Sequence, residues 1–119
     1  MKVLENFSLL HHNTFAMDVK AKRFVEYQNV CELKEVLGRF GGNENRDSKK
    51  LFIGRGSNLL FTRDFDGTVV HGNISGVEVV RETDDHVLVS VCACVVWADS
   101  VAWSVDNNLY GAENLSLIP

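Results

Sequence analysis

Residues 51 to 61 read L-F-I-G-R-G-S-N-L-L-F. Leu51-Phe52-Ile53 is a short apolar run of the kind that forms a buried strand, and Gly54-Arg55-Gly56-Ser57-Asn58 breaks it at once. Glycine accepts positive φ and allows close approach to the main chain. Successive N–H groups in such a turn can converge on an anion, and Ser57 and Asn58 add hydroxyl and amide donors. The third glycine that opens a helix in the common dinucleotide fingerprint is missing, and Leu59-Leu60-Phe61 reads as extended. Two readings of the turn stand: a loop that holds a pyrophosphate without a helix end, and a tight turn with no ligand.

Upstream of this stretch, Arg23 to Tyr27 reads as a short strand and Asn29 as an N-cap. Val30, Leu33, Leu37 and Phe40 then recur at helical spacing and predict one apolar stripe. Gly38, or the Gly41-Gly42 pair, ends that helix. Residues 41 to 50 are the most polar in the chain and read as an exposed connection. Residues 1 to 16 are mixed, with His11-His12-Asn13-Thr14-Phe15 as a polar cluster closed by an aromatic.

Downstream, Arg63 to Gly67 reads as a turn and Thr68 to His71 as a strand. Val77 to Thr83 and His86 to Cys94 read as a hairpin joined across Asp84-Asp85. Val87 to Val91 is too apolar for a strand with one wet face, so burial is expected. Trp97, Val101, Val105 and Leu109 recur every four residues, which predicts a helix over 96–107 packed by one face, followed by Gly111. Trp97 is expected in the core, with Trp103 off the main stripe. A β-α-β unit followed by mainly antiparallel strands and a helix is an α+β order.

The 119 residues carry a net charge of −4, with 45% hydrophobic and 24% charged residues. That composition fits one globular domain or a piece of a larger one. A general nucleic-acid surface would need a basic footprint, so none is expected. The three cysteines, an odd and low number, argue against a disulfide framework. Glu5 and Asn6 interrupt any apolar run near the start, so no signal peptide is expected, and no run reaches membrane-span length. A reducing, cytoplasmic setting follows. The triplets beginning at Asn6, Asn73 and Asn114 match the glycosylation pattern and read as chance.

Other groups carry less chemistry. Cys92-Ala93-Cys94 puts two thiols on one strand face near His86, but a structural zinc site wants four ligands and no second pair exists, so no metal is expected. His11, His12, His71 and His86 show no nucleophile–base pattern and read as surface or strand residues. Asp64, Asp66, Asp84 and Asp85 read as solvated turn residues.

Five segments, in order, resemble the UDP-N-acetylenolpyruvoylglucosamine reductase family: N-T-F at 13–15, I-G-R-G-S-N-L-L-F at 53–61, D-F-D-G-T-V-V at 64–70, the tryptophan at 97, and G-A-E-N-L-S-L-I-P at 111–119. The resemblance covers essentially the whole chain but about the first third of the family's length. It implies the N-terminal part of a vanillyl-alcohol-oxidase/PCMH-type FAD-binding domain. The small β-α-β subdomain would span about 1–66 and the start of a second about 67–119, with the substrate-binding domain absent. NADPH would reduce FAD, and reduced flavin would pass hydride to UDP-N-acetylglucosamine enolpyruvate, giving UDP-N-acetylmuramate for peptidoglycan.

By motif match, Ile53, Gly54, Arg55, Gly56, Ser57, Asn58 and Leu59 would lie along the FAD pyrophosphate, and Ile118 and Pro119 would begin a second flavin-contacting stretch. The catalytic Ser, Arg and Glu that the family implies match no position here. Val91-Cys92-Ala93-Cys94 stands where the family usually has V-G-A-G, which adds side chains near the expected cofactor path. An apolar segment ending on Pro119 is a poor place to finish a domain, and Leu109, Leu115, Leu117 and Ile118 would leave an apolar edge open to self-association. The expectation is a partial FAD-binding domain, inactive alone. Two alternatives are a non-catalytic nucleotide- or anion-binding module and a structural domain.

Overall fold

The computed structural model describes residues 1–41 and 49–116. The chain divides into two compact units, Met1–Asn73 and Ile74–Pro119. In the first, β1 (Lys2–Ser8), β2 (Lys20–Tyr27), α1 (Val30–Gly41), β3 (Lys49–Ile53) and β4 (Phe65–Gly72) build one four-stranded sheet in the order β1-β2-β4-β3. β1 runs antiparallel to β2, while β4 lies parallel to both β2 and β3. The β-α-β unit is therefore β2-α1-β3, with the later strand β4 inserted between its two strands.

That insertion corrects two expectations. Phe65, Asp66 and Gly67 belong to β4 rather than to the expected turn, because Thr68, Val69 and Val70 are buried and pull the preceding residues into register. The boundary expected near residue 66 falls after Asn73 instead, because β4 is an inner strand of the first unit's sheet. β1 was hidden in the mixed N-terminal stretch, where its mostly exposed positions give little alternation.

One sheet face carries Leu4, Phe24, Val69, Leu51 and Ile53 in neighbouring register. With Leu9, Ala21 and Phe61 these form the core cluster. Val25 and Val70 alternate to the other face, and α1 packs on β2. Asn29 caps α1: its Oδ1 accepts the Glu32 N–H at 2.9 Å, and the Glu32 carboxylate accepts the Gln28 N–H at 2.8 Å. The helix buries Val36, while Val30 and Leu37 of the expected stripe are exposed. Val36 with half-buried Leu33 and Phe40 keeps helical spacing, so the buried stripe is turned from the expected one. The helix passes Gly38 and runs to Gly41, and the polar connection expected after it lies largely outside the described residues.

In the second unit β5 (Val77–Glu82) and β6 (Val87–Val91) form an antiparallel hairpin, closed by Thr83 N–H to His86 O at 2.8 Å. α2 (Trp97–Asp106) follows, and a 3-10 turn spans Glu113–Leu115. Expected burial of β6 does not hold: Leu88 is 55% exposed, and Val79, Val80 and Val91 are exposed as well. A sheet of two strands has no inner strand to bury, whatever its composition. α2 buries Ser100 and Val101, whereas Trp97 and Val105 are exposed, so Trp97 is not a core residue. Trp103 is half-buried.

Candidate functional site

The parallel strands β2, β4 and β3 end together at Tyr27, Gly72 and Ile53, and ligands of open α/β sheets gather beyond such carboxyl ends. Gly54 to Asn58 leave the sheet there. Ile53 is buried and anchors the start of the loop in the core; Phe61 anchors its return. Between them the backbone turns with Gly56 at φ +70 and Asn58 at φ 56. Glycine meets that demand without strain, and Asn is among the side chains that tolerate it. The stretch Leu59 to Phe61, expected to be extended, forms no strand.

Gly54 and Gly56 do different work. A Cβ at Gly54 would meet nothing within 4 Å, so its backbone faces open space. A Cβ at Gly56 would stand 1.9 Å from the His12 carbonyl oxygen and 3.0 Å from Asn13 Cα. Gly56 is therefore the point where the loop is pressed onto the segment 9–17, and Thr14 N–H donates to Gly56 O at 3.3 Å. Arg55 and Asn58 are exposed, and Ser57 and Leu59 are half-buried. Open backbone at Gly54, a left-handed glycine two residues on, and an exposed guanidinium suit an anionic diphosphate.

The segment under the loop is itself held by Asn13, which is 7% exposed. Its Nδ2 donates to Leu9 O at 2.7 Å and Met17 O at 3.0 Å, and its Oδ1 accepts Met17 N–H at 2.9 Å. The sequence marked Asn13 as part of the polar cluster 11–15 and of N-T-F, with no role of its own. The one local signal was a side chain with two donors and an acceptor beside turn-forming residues.

His12 sits in an aromatic cluster rather than on the surface. Its ring centroid lies 4.7 Å from that of Phe24, 5.5 Å from Phe7 and 5.0 Å from His71. His71 Nδ1 lies 3.2 Å from Glu26 Oε2. Burial, then the nearby His71, lowers the His12 pKa below its ordinary value of 6.5, with Glu26 opposing. Asp64 also departs from a purely solvated role, since its Oδ1 accepts the Lys20 N–H at 2.8 Å and ties the end of the loop to the start of β2.

A groove of about 450 Å³ lies along the return of the loop, lined by Leu59, Leu60, Phe61, Phe65 and the polar residues Lys49 and Asp64 among others. None of Gly54 to Asn58 lines it. Among the described residues no group of three or more His, Cys, Asp or Glu is arranged to hold a metal ion, and no helix is long and apolar enough to cross a membrane.

In the second unit, Cys92 N–H donates to Gly76 O at 2.9 Å and Val95 N–H to Cys92 O at 3.0 Å, so Cys92-Ala93-Cys94 forms a turn after β6, not a strand face. Ile118 and Pro119 lie outside the described residues, as does Leu117; Leu109 is half-buried and Leu115 exposed.

No family model matches the chain. Curated relatives do, and along its whole length. It is 52% identical over 115 residues to the UDP-N-acetylenolpyruvoylglucosamine reductase of Bacteroides fragilis strain YCH46, which covers 97% of this chain and 33% of that protein. It is 44% identical over 119 residues to the reductase of the same name from Flavobacterium johnsoniae, covering 100% of this chain and 34% of the relative. The Porphyromonas gingivalis W83 reductase is 35% identical over 120 residues, again 34% of its own length. The chain spans about a third of the length of the curated relatives it matches.

Proposed function

Since the chain belongs to the UDP-N-acetylenolpyruvoylglucosamine reductase family, we propose that it supplies the pyrophosphate-binding part of that enzyme's FAD site. The observation that carries this reading is the turn at Gly54–Asn58, where open backbone at Gly54 stands beside a Gly56 that admits no Cβ.

In this reading Gly54 lets a phosphate approach the main chain, and the N–H groups that follow donate to its oxygens. Arg55 is exposed and pairs with the diphosphate charge, and Ser57 and Asn58 supply further donors. Ile53 and Leu59 keep the loop fixed to the sheet from either side. FAD, when bound, carries hydride from NADPH toward the enolpyruvyl double bond of the UDP-sugar, a step in peptidoglycan synthesis in the cytoplasm. Ile118 and Pro119 complete the proposed flavin contacts. The domain type proposed is of the vanillyl-alcohol-oxidase/PCMH kind.

The same reading holds that these 119 residues bind flavin without turning it over. The catalytic Ser, Arg and Glu implied by the resemblance match no residue here, and the chain spans a third of its relatives' length. Self-association through exposed apolar residues is part of the proposal, and light scattering tests it: a monomer at all concentrations would count against it. The central test is titration of the purified chain with FAD, followed by flavin fluorescence and absorption. Saturable binding that Gly54→Trp abolishes in a folded protein supports the site. Absence of binding favours the bare-turn reading, and NADPH-dependent turnover of the UDP-sugar would overturn the inactivity.

A further inference from the structure

The residues on either side of Asn13 both bear on Gly56. His12 presents its carbonyl oxygen where a Gly56 Cβ would stand, and Thr14 N–H donates to the Gly56 carbonyl at 3.3 Å. Asn13 itself does not reach the loop with its side chain; its three hydrogen bonds close the segment from Leu9 to Met17 beneath it. The Gly56 carbonyl is thus held against that segment. No peptide among the described residues is cis, and in a planar trans peptide the N–H points opposite to the C=O. With the Gly56 carbonyl turned toward Thr14, the Ser57 N–H is turned away from it.

We propose that Asn13 is a positioning residue for the anion-binding turn: its buried carboxamide fixes the 9–17 segment as a backstop, which orients the Ser57 N–H toward the ligand. The ligand in this proposal rests on the flavin reading above; the geometry does not. No other side chain of similar size does the same work. Asn supplies two donors to two backbone carbonyls and one acceptor to a backbone N–H. Asp would set a carboxylate against Leu9 O and Met17 O, and Ala would leave both carbonyls and the Met17 N–H without their partner, a loss that is costly in a buried place.

The test uses the ¹⁵N-labelled chain and the variants Asn13→Ala, Asn13→Asp and Thr14→Pro. Thr14→Pro removes the N–H that grips Gly56. Asn13 is already extended at φ −148, ψ 146, as a residue before proline must be. FAD addition is expected to move the Ser57 amide resonance in the parent chain. Asn13→Ala should raise the FAD Kd about tenfold, equivalent to ~1.4 kcal/mol, and speed exchange of the Thr14 amide, which donates to Gly56 O, while the amides of β2 and β4 keep their protection. Thr14→Pro should reproduce the rise in Kd and abolish the Ser57 shift; it carries the test should Asn13→Ala fail to fold. Unchanged exchange at Thr14 in folded Asn13→Ala overturns the proposal, as does a parental FAD Kd in either folded variant. Faster Thr14 exchange in Asn13→Ala of a parent that binds no FAD would sink the flavin reading and leave the backstop standing.

Discussion

The second unit of this chain is the more apolar in sequence, yet the first holds nearly all of the buried core. Ten of the buried hydrophobic residues, from Leu9 to Val70, belong to Met1–Asn73, and Val101 is the one described in Ile74–Pro119. The first unit inserts a central strand, so β2 and β4 each have neighbours on both edges and covered faces. The second has a hairpin with no inner strand, and its Val79, Val80 and Leu88 remain exposed. Topology, not hydrophobicity, decides which valines become core. The candidate site follows the same division, since Gly54–Asn58 is anchored in the core by Ile53 and Phe61.

The largest test of this contrast is Phe24→Ala. Phe24 is 1% exposed and stacks on Phe7 at 4.4 Å, so its loss should cost about 3–5 kcal/mol of stability, measured by urea denaturation. Next is Gly56→Ala. Both the positive φ and the His12 carbonyl oppose a Cβ, which should cost about 1–3 kcal/mol and weaken FAD binding together. A folded Gly56→Ala chain of full stability would show that the loop is free to move off the 9–17 segment.

A smaller effect comes from acid. His12 has its folded pKa lowered, so the unfolded chain binds the proton more readily. Its contribution is fully present above pH 6.5, the ordinary value, and is lost as pH falls below that toward the folded pKa. Denaturation midpoints of the first unit should therefore decline below pH 6.5, and His12→Phe should flatten that part of the profile. An unchanged slope in His12→Phe would assign the decline to other groups. The smallest change is expected in the hairpin: Leu88→Thr should stay within about 0.5 kcal/mol. A loss as large as that of Phe24→Ala would break the contrast, because it would mean that Leu88 is covered.

Much of this was legible along the chain, and the failures have a common cause. Asn29 announced the start of α1, Asp84-Asp85 the hairpin, and Leu51 to Ile53 the strand that delivers the loop. Those signals are local. What was not legible depends on partners distant in sequence. The helical stripe kept Leu33 and Phe40 but missed that α1, which packs on β2, buries Val36 and leaves Leu37 exposed. Trp97 and Leu88 were assigned to a core that their unit does not build. At the site, G-R-G-S-N was readable as a candidate anion loop, but its dependence on His12 and Asn13 was not, since more than forty residues separate the two segments.

The strand order β1-β2-β4-β3 has a temporal consequence. The strand at the middle of the sheet is the last of the four to leave a ribosome, and β2 and β3 share no edge without it. Pairing Phe24 with Val69 closes a long loop of chain, the kind of contact that forms late because its entropy must be offset by many partners at once. Until Gly72 is synthesised, α1 connects two strands that have nothing to join them, and the Gly54–Asn58 turn hangs from an unpaired β3. In the flavin reading proposed above, ligand capture at this loop would be a property the nascent chain acquires when β4 closes the sheet.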